Sequence, residues 1–376
     1  MSRICLWYSF ILFLSPVGVL GQSLHFSSAG KTANNSPTVF SLSGNAKVEI
    51  QSSAITFLDS GKSVSSHLSA GFSPDRSIIS LLDYTGESAE ITLLSANGDT
   101  LNSYPSTSIK PNDPSLAVYP FNSGKLLLRS NIMNFAMHDG YGNTGTTITS
   151  GSNSEEGETI SEVRSSADGA TTIIFTPKIK RGEEIGSKAG LLGMDNQLIR
   201  IFEHEERFIK ELEVSKDGNW VTIITGAEGA NDRVLVMDRY GNEIGSFSSG
   251  EQLEGAQLSK DARHITVFSS KRVRVHNVLS GERLGSTSIQ DPVFYADFFP
   301  VDQMIVILSG RYSETSGILN NIELKAVDLA RRDIVSNSLS EALGFYEDFK
   351  IDIDRLSANQ YKLKGANKEL TIDVNF

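Results

Sequence analysis

The stretch EVSKDGNWVTII at residues 213–224 reads as the end of one strand, a tight turn and the start of an apolar strand. Ser-x-Asp-Gly is turn chemistry: short oxygen-bearing side chains accept nearby backbone N–H groups, and glycine supplies the left-handed backbone that such turns use. The frame recurs as GFSPDRSIISLL at 71–82, RSSADGATTIIF at 164–175 and QLSKDARHITVF at 257–268. A unit this short cannot bury its sheet faces alone, so the copies must stack on one another. The pattern predicts an all-β fold, a β-propeller of four-stranded blades.

Working outward, a second hairpin follows each frame. It reads ITFLDSGKSVS at 55–65, ITLLSANGDTLNSY at 91–104, NFAMHDGYGNTGTTI at 134–148 and LIRIFEHEERFIKEL at 198–212. It continues as VLVMDRYGNEIGSF at 234–247, VRVHNVLSGERLGS at 273–286 and ELKAVDLARRDIVS at 323–336. Seven hairpins predict seven blades, at about 51 residues each for a chain of about 355 after its leader. The last strand, ELTIDVNF at 369–376, is then expected to share a blade with the hairpin at 55–65, so that both ends of the chain build one closing blade. Eight blades is the alternative count, with KVEI at 47–50 as a further strand. A β-sandwich also alternates strands and turns, but it does not repeat one turn at intervals of about 41–49 residues.

The Ser-x-Asp turn followed by an apolar strand resembles the bacterial WD40-like, TolB-like and PQQ-like propeller repeats. The matching positions are Ser73 and Asp75, Ser166 with Asp168 and Gly169, Ser215 with Asp217 and Gly218, and Ser259 and Asp261. The resemblance spans most of 47–376 and implies architecture alone. The Trp-Asp ending of true WD40 blades is absent, and Trp220 is the only tryptophan after the leader, against a quinone cofactor.

The chain opens with Arg3, an apolar run from Ile4 to Leu14, Pro16 and a small-residue segment ending at Gly21. This is the pattern of a secretory signal peptide, 1–21, too short and too interrupted for a membrane span. The expected location is therefore periplasmic or extracellular, with no transmembrane span after cleavage. Cys5 is the only cysteine and lies in the leader, so neither a lipoprotein anchor nor a disulfide nor a thiolate site is expected. Loss of the leader removes one Arg and no acid, so 34 bases become 33 against 45 acids, a net of −12. With no basic cluster against that background, nucleic acid is not an expected partner.

Motifs for chemistry are absent. The histidines (His25, His67, His138, His204, His264, His276) form no HExxH or ligand pair, and no G-x-S-x-G or P-loop occurs. The repeated aspartates read as turn formers in separate blades. No catalytic residue, metal or cofactor is assigned.

Three segments break the repeat. Residues 22–46 read as an extended N-terminal arm ahead of a single propeller domain at 47–376, with a floppy terminus and strand addition as its two readings. The insertion at 178–197 carries the charges Arg181, Glu183, Glu184 and Lys188, then Leu191, Leu192 and Met194. The insertion at 330–349 has helical spacing at Leu339, Ala342, Leu343 and Tyr346, with Ser338 as N-cap, and carries Phe345 beside Tyr346. Irregular loops on a rigid scaffold are where partners bind, so these residues are the candidate partner-binding set; sealing of the propeller is the competing role for the 191–194 patch.

The expected function is a non-enzymatic scaffold or accessory subunit of a cell-envelope or surface assembly, with protein as its partner. The alternative is a glycan-binding or glycan-active protein, with Tyr119, Phe121, Tyr141, Phe294, Tyr295, Phe298 and Phe299 as available platforms at the channel mouth.

Overall fold

The computed structural model describes residues 23–28, 39–51, 54–65, 69–85, 88–106, 117–131, 133–149, 161–166, 169–181, 184–193, 197–313, 318–339, 343–344, 352–364 and 369–375. Its first strand is β1 (Ser23–Ser28). Sheet 1 follows, with β2 (Val39–Ser41), β3 (Lys47–Gln51), β4 (Ala54–Phe57) and β5 (Ser63–Ser65). Sheet 2 holds β6 (Ser69–Phe72), β7 (Ile78–Thr85), β8 (Ser88–Ser95) and β9 (Thr100–Ser106); sheet 3 holds β10 (Ala117–Pro120), β11 (Leu126–Arg129), β12 (Asn134–His138) and β13 (Thr144–Thr149). Sheet 4 is β14 (Glu162–Ser165), β15 (Thr172–Arg181), β16 (Glu184–Leu192) and β17 (Leu198–His204); sheet 5 is β18 (Phe208–Val214), β19 (Trp220–Ala227), β20 (Ala230–Asp238) and β21 (Glu243–Ser248). Sheet 6 is β22 (Gly255–Leu258), β23 (His264–Phe268), β24 (Arg272–Asn277) and β25 (Arg283–Ser288). Sheet 7 is β26 (Val293–Phe299), β27 (Met304–Ser313), β28 (Ile318–Asp328) and β29 (Asp333–Leu339), with β30 (Leu343–Gly344) also paired to β28. Sheet 8 is β31 (Asp352–Ser357), β32 (Gln360–Lys364) and β33 (Glu369–Asn375), completed on its edge by β1. All pairings are antiparallel, and the arrangement is propeller-like.

The second strand of each sheet explains the apolar runs in the sequence. Side chains alternate between sheet faces, and here both faces are buried, so no polar residue is needed at every other position. Ile79 and Leu81 pack against sheet 1, whereas Ile78 and Leu82 pack against sheet 3. Ile223 faces sheet 4 and Ile224 faces sheet 6; Ile305 and Ile307 face sheet 6, while Met304, Val306 and Leu308 face sheet 8. Seven apolar seams thereby join the eight sheets in chain order.

The sequence reading merges two sheets that the structure separates. Sheet 1 has its own first pair, β2 and β3, where β2 has three residues and its turn carries no aspartate. The hairpin at 55–65 therefore does not share a sheet with the last strand. That role falls to β1, from the expected arm, which runs from Ser23 opposite Asn375 to Ser28 opposite Leu370. The segment 198–212 is not a hairpin within a sheet: β17 ends sheet 4 and β18 begins sheet 5. The insertion 178–197 is mostly the long β15–β16 hairpin. Around 330–349, Ser338 and Leu339 end strand β29 and Leu343 lies in β30, so the expected helix is not formed there.

Gly218 shows why the turn glycine is required. Its φ is +69°, and a Cβ there would lie 2.9 Å from Ser166 Cβ of the preceding sheet. Gly218→Ala is expected to cost about 1–2 kcal/mol, from left-handed strain plus the forced contact. Urea denaturation of the variant beside wild type measures it.

Candidate interaction surface

In an antiparallel four-stranded sheet, the turns joining strands one to two and three to four lie at one end. The remaining turn and the link to the next sheet lie at the other. Contacts between neighbours show that the turn-rich ends line up. Ser60 Oγ donates to Asn97 O at 3.1 Å, Asp75 N–H to Asn122 Oδ1 at 3.2 Å, Asn102 Nδ2 to Gly140 O at 2.5 Å, and Thr171 Oγ1 to Gly218 O at 2.7 Å. Further along, Phe247 stacks on His276 at 4.5 Å, and Arg355 binds Asp302 through both carboxylate oxygens at 2.6 and 2.8 Å.

The recurring serine and aspartate build this end. Ser215 Oγ donates to Asp217 Oδ1 at 2.6 Å and accepts Trp220 N–H at 3.0 Å, while Asp217 Oδ1 accepts Asn219 N–H at 3.2 Å. Ser259 and Asp261 repeat this with His264 and Arg263, as Ser73 and Asp75 do with Ile78 and Ser77. Partial burial alone would raise these carboxyls, but the donors around Asp75, Asp217 and Asp261 outweigh it and hold each below the usual range. Asp75, Asp217 and Asp261 are turn formers, as the sequence suggests, and each is spent on its own loop; Asp168 lies outside the described residues.

The third-to-fourth turns carry a second motif. Asp139 accepts the N–H groups of Tyr141 and Asn143 at 2.8 and 3.1 Å, and Asp238 accepts those of Tyr240 and Asn242 at 2.8 and 2.9 Å. The shared Asp-x-Tyr-Gly-Asn frame lifts each tyrosine off the surface: Tyr141 is 82 % exposed and Tyr240 73 %. Leu279 and Val301, on turns of sheets 6 and 7, are 81 % and 80 % exposed. The other exposed large apolar residues are Leu58, Leu101, Ile199, Leu284, Ile334 and Leu356. Leu58 is on a turn, Leu356 is the next-to-last residue of β31, and the remaining four are each the second residue of a strand that leaves this end. Among the described residues, every exposed large apolar side chain therefore sits at the turn-rich end, and each of the eight sheets supplies at least one.

The residues singled out from sequence fall elsewhere. Arg181 and Glu184 pair across the tip of the β15–β16 hairpin, at the opposite end of the sheets, and Lys188 lies further along β16. Leu191 and Leu192 are in β16, partly buried against the seams with sheet 5 and sheet 3 respectively, because alternate residues of a strand face opposite neighbours. Glu183, Met194, Phe345 and Tyr346 lie outside the described residues. Of the candidate glycan platforms, Phe121, Tyr295, Phe298 and Phe299 are buried in seams, Tyr119 and Phe294 pack against them, and Tyr141 alone is exposed. Sequence reasoning passed over Tyr240, Leu279, Val301 and Leu356 as surface features. The recurrence of Asp-x-Tyr-Gly-Asn at 139–143 and 238–242 was the signal available for the first.

Sheets 6, 7 and 8 share a polar clasp at the same end. Tyr361 Oη donates to Asp302 Oδ2 at 2.9 Å beside the Arg355 fork, and Asp354 pairs with Lys364 at 2.7 Å and Lys260 at 3.1 Å. The Arg355 hydrogen bonds bring Asp302 below its ordinary value despite burial. Burial would raise Asp354, but Lys364 and Lys260 bring it down to about 2. Among the described residues, no group of three or more His, Cys, Asp or Glu could hold a metal ion.

Two histidines are buried in seams with a ring nitrogen lacking a hydrogen-bond partner. His138 stacks on Tyr104 at 6.0 Å with both nitrogens unsatisfied, and His276 bonds Gly281 O through Nδ1 while Nε2 is unsatisfied. Burial pushes both below 6.5, opposed at His138 by Asp139 and at His276 by the Gly281 carbonyl. The unfolded chain then takes up these protons first. The seams are stable above pH ~6.5 and weaken progressively as pH falls through the folded-state values. His138→Phe, which keeps the stack and removes the titration, is expected to flatten the urea-midpoint profile between pH ~7.5 and ~5. An unchanged slope would assign the pH dependence elsewhere.

The arrangement is similar to that of known propellers. The Dos1 propeller aligns at 11% identity with a TM-score of 0.53, covering 91% of this chain and 93% of that one. A eukaryotic initiation factor aligns at 10% identity and 0.50, covering 83% and 90%. BamB from Moraxella catarrhalis aligns at 12% and 0.49, covering 94% and 100%. Likeness at these identities is one of fold alone. No protein-family model matches the chain, and no curated protein does. Among the described residues, no helix is long and apolar enough to cross a membrane.

Proposed function

We propose that this chain is a secreted or periplasmic, non-enzymatic β-propeller of eight blades that binds protein through its turn-rich end, as a scaffold or accessory subunit of an envelope or surface assembly. The observation that carries the reading is the confinement of exposed apolar side chains to that end. Such side chains scattered singly need no explanation, but collected on one face they mark an interaction surface. The turns beneath are rigid, since their carboxylates and hydroxyls are hydrogen-bonded within the loops, so little order is lost when a partner docks. The ring reading is supported by the seven seams and by β1, which ties the chain's start to its last sheet. The export reading is supported by residues 1–21, and amino-terminal sequencing of the mature protein should begin near residue 22.

The test is gentle crosslinking in native extract followed by capture of the mature protein. A stoichiometric protein partner, lost from a Tyr141→Ser/Tyr240→Ser/Leu279→Ser triple variant, is the expected result. No crosslinked protein, or one captured equally by the variant, overturns the assignment to this end.

A further inference from the structure

The partner of the turn-rich end follows from its extent and its charge, on the premise that this end binds protein. We propose that the turn-rich end docks against the same end of a second copy of this chain, giving a face-to-face dimer about a two-fold axis.

Three observations point to a second copy. First, the exposed apolar residues are contributed by all eight sheets, so a peptide or a single helix would meet only a few of them, whereas an equally broad face meets them all. Second, the area suffices. Ten such side chains, exposed between two-fifths and four-fifths, offer roughly 1,000 Å² of apolar surface, against the ~800 Å² per partner of a standard interface.

Third, charge selects the orientation. The chain carries a net −11, which opposes close approach of two copies in most poses. The opposite end is acidic on balance: its described connections carry Glu205, Glu206, Glu228, Glu251, Glu254 and Asp291 against Arg207 and Lys271, with Glu251 and Asp291 paired to Arg274 and Arg311. At the turn-rich end acids and bases alternate, as in Lys216-Asp217, Asp238-Arg239 and Lys260-Asp261. Face to face about a two-fold axis, such mixed charges let opposite signs meet across the interface, and the acidic ends are held far apart. An anionic bilayer, the other broad flat occupant, would meet those acids as well as the bases.

The test is sedimentation velocity of the mature wild-type protein and of the Tyr141→Ser/Tyr240→Ser/Leu279→Ser variant over a concentration series. Wild type is expected to sediment as a dimer, and the variant to dissociate with a Kd raised roughly tenfold or more, since large side chains such as tyrosine that become buried on docking carry much of an interface's energy. The three side chains stand in solvent, so at a concentration low enough for both proteins to be monomeric the variant should keep the wild-type thermal transition, which separates lost docking from lost folding. A wild-type monomer at ~100 μM, a Kd too weak to matter for such a face, overturns the proposal, as does a dimer that the variant leaves intact. So does wild type that stays monomeric and floats instead with neutral or anionic vesicles. A monomer whose turn-rich end still crosslinks a different protein refutes self-pairing while leaving that end a binding surface; a monomer with no such crosslink refutes both.

Discussion

Tyr361→Ala is expected to lower the unfolding free energy by about 3–5 kcal/mol, the range for truncating a large buried ring. Tyr361 is among the largest fully buried side chains, and its ring sits in the seam between sheets 7 and 8 against Phe299 at 4.8 Å. Its hydroxyl is a separate contribution, because it donates to Asp302 at 2.9 Å. Tyr361→Phe keeps the ring and deletes that donor, so it should cost only about 1–2 kcal/mol, with Arg355 still holding the carboxylate. Urea midpoints of both variants give the comparison. Equal losses would mean that the hydroxyl, not the ring, dominates. The Asp302 and Asp354 pairs add a second signature. Both carboxyls titrate below their ordinary value when folded, so their contribution is complete above pH ~4 and is lost as pH drops towards 2. That window lies well below the one in which the seam histidines act.

Deleting residues 23–28 is expected to have an effect of similar size by another route. β1 pairs with β33 across six positions, and without it the outer backbone edge of sheet 8 is left unpaired. At about 0.5–1 kcal/mol net per hydrogen bond and roughly six bonds, the loss is about 3–6 kcal/mol. An open edge is also a template for pairing with other chains, so the shortened protein should form oligomers that size exclusion with light scattering detects. A synthetic peptide SLHFSS supplied in excess should restore both stability and the native oligomeric state, since the register of the missing strand is fixed by β33. Unchanged stability of the deletion would show that β1 contributes no closure.

Much of the architecture was legible because turn chemistry and double-sided burial leave strong marks. Ser-x-Asp turns before continuous apolar runs located the first pairs of sheets 2, 4, 5 and 6. The errors have physical causes. Phe202 to Phe208 resembles a hairpin because two strands flank a short polar break, yet no residue from His204 to Arg207 is among those with a positive φ, and there is no glycine. Real turns between third and fourth strands use a left-handed residue, such as Gly98, Gly241 or Gly281; a link between sheets need not. Sheet 1 was hidden by a three-residue strand and a turn without aspartate. At 330–349, spacing that suits a helix was overridden for Ser338 and Leu339 by pairing along β28. The interaction surface was less legible still. Exposure of Leu279 or Val301 follows from where a turn tip points, which no periodicity records, and Leu191-Leu192 looks like a patch until the flanking sheets are in place.

The pairing of β1 with β33 also orders events in time. Sheets 1 to 7 are each built from one continuous stretch of chain, so they can form as soon as that stretch is synthesised. Sheet 8 joins the first described strand to the last, the longest-range pairing in the molecule, and loop closure makes such contacts slow. Until residues 369–375 leave the ribosome, β1 has no native partner. The nascent chain must carry an unsatisfied strand for the whole of its synthesis, a demand that a chaperone or a tether at its amino end would meet.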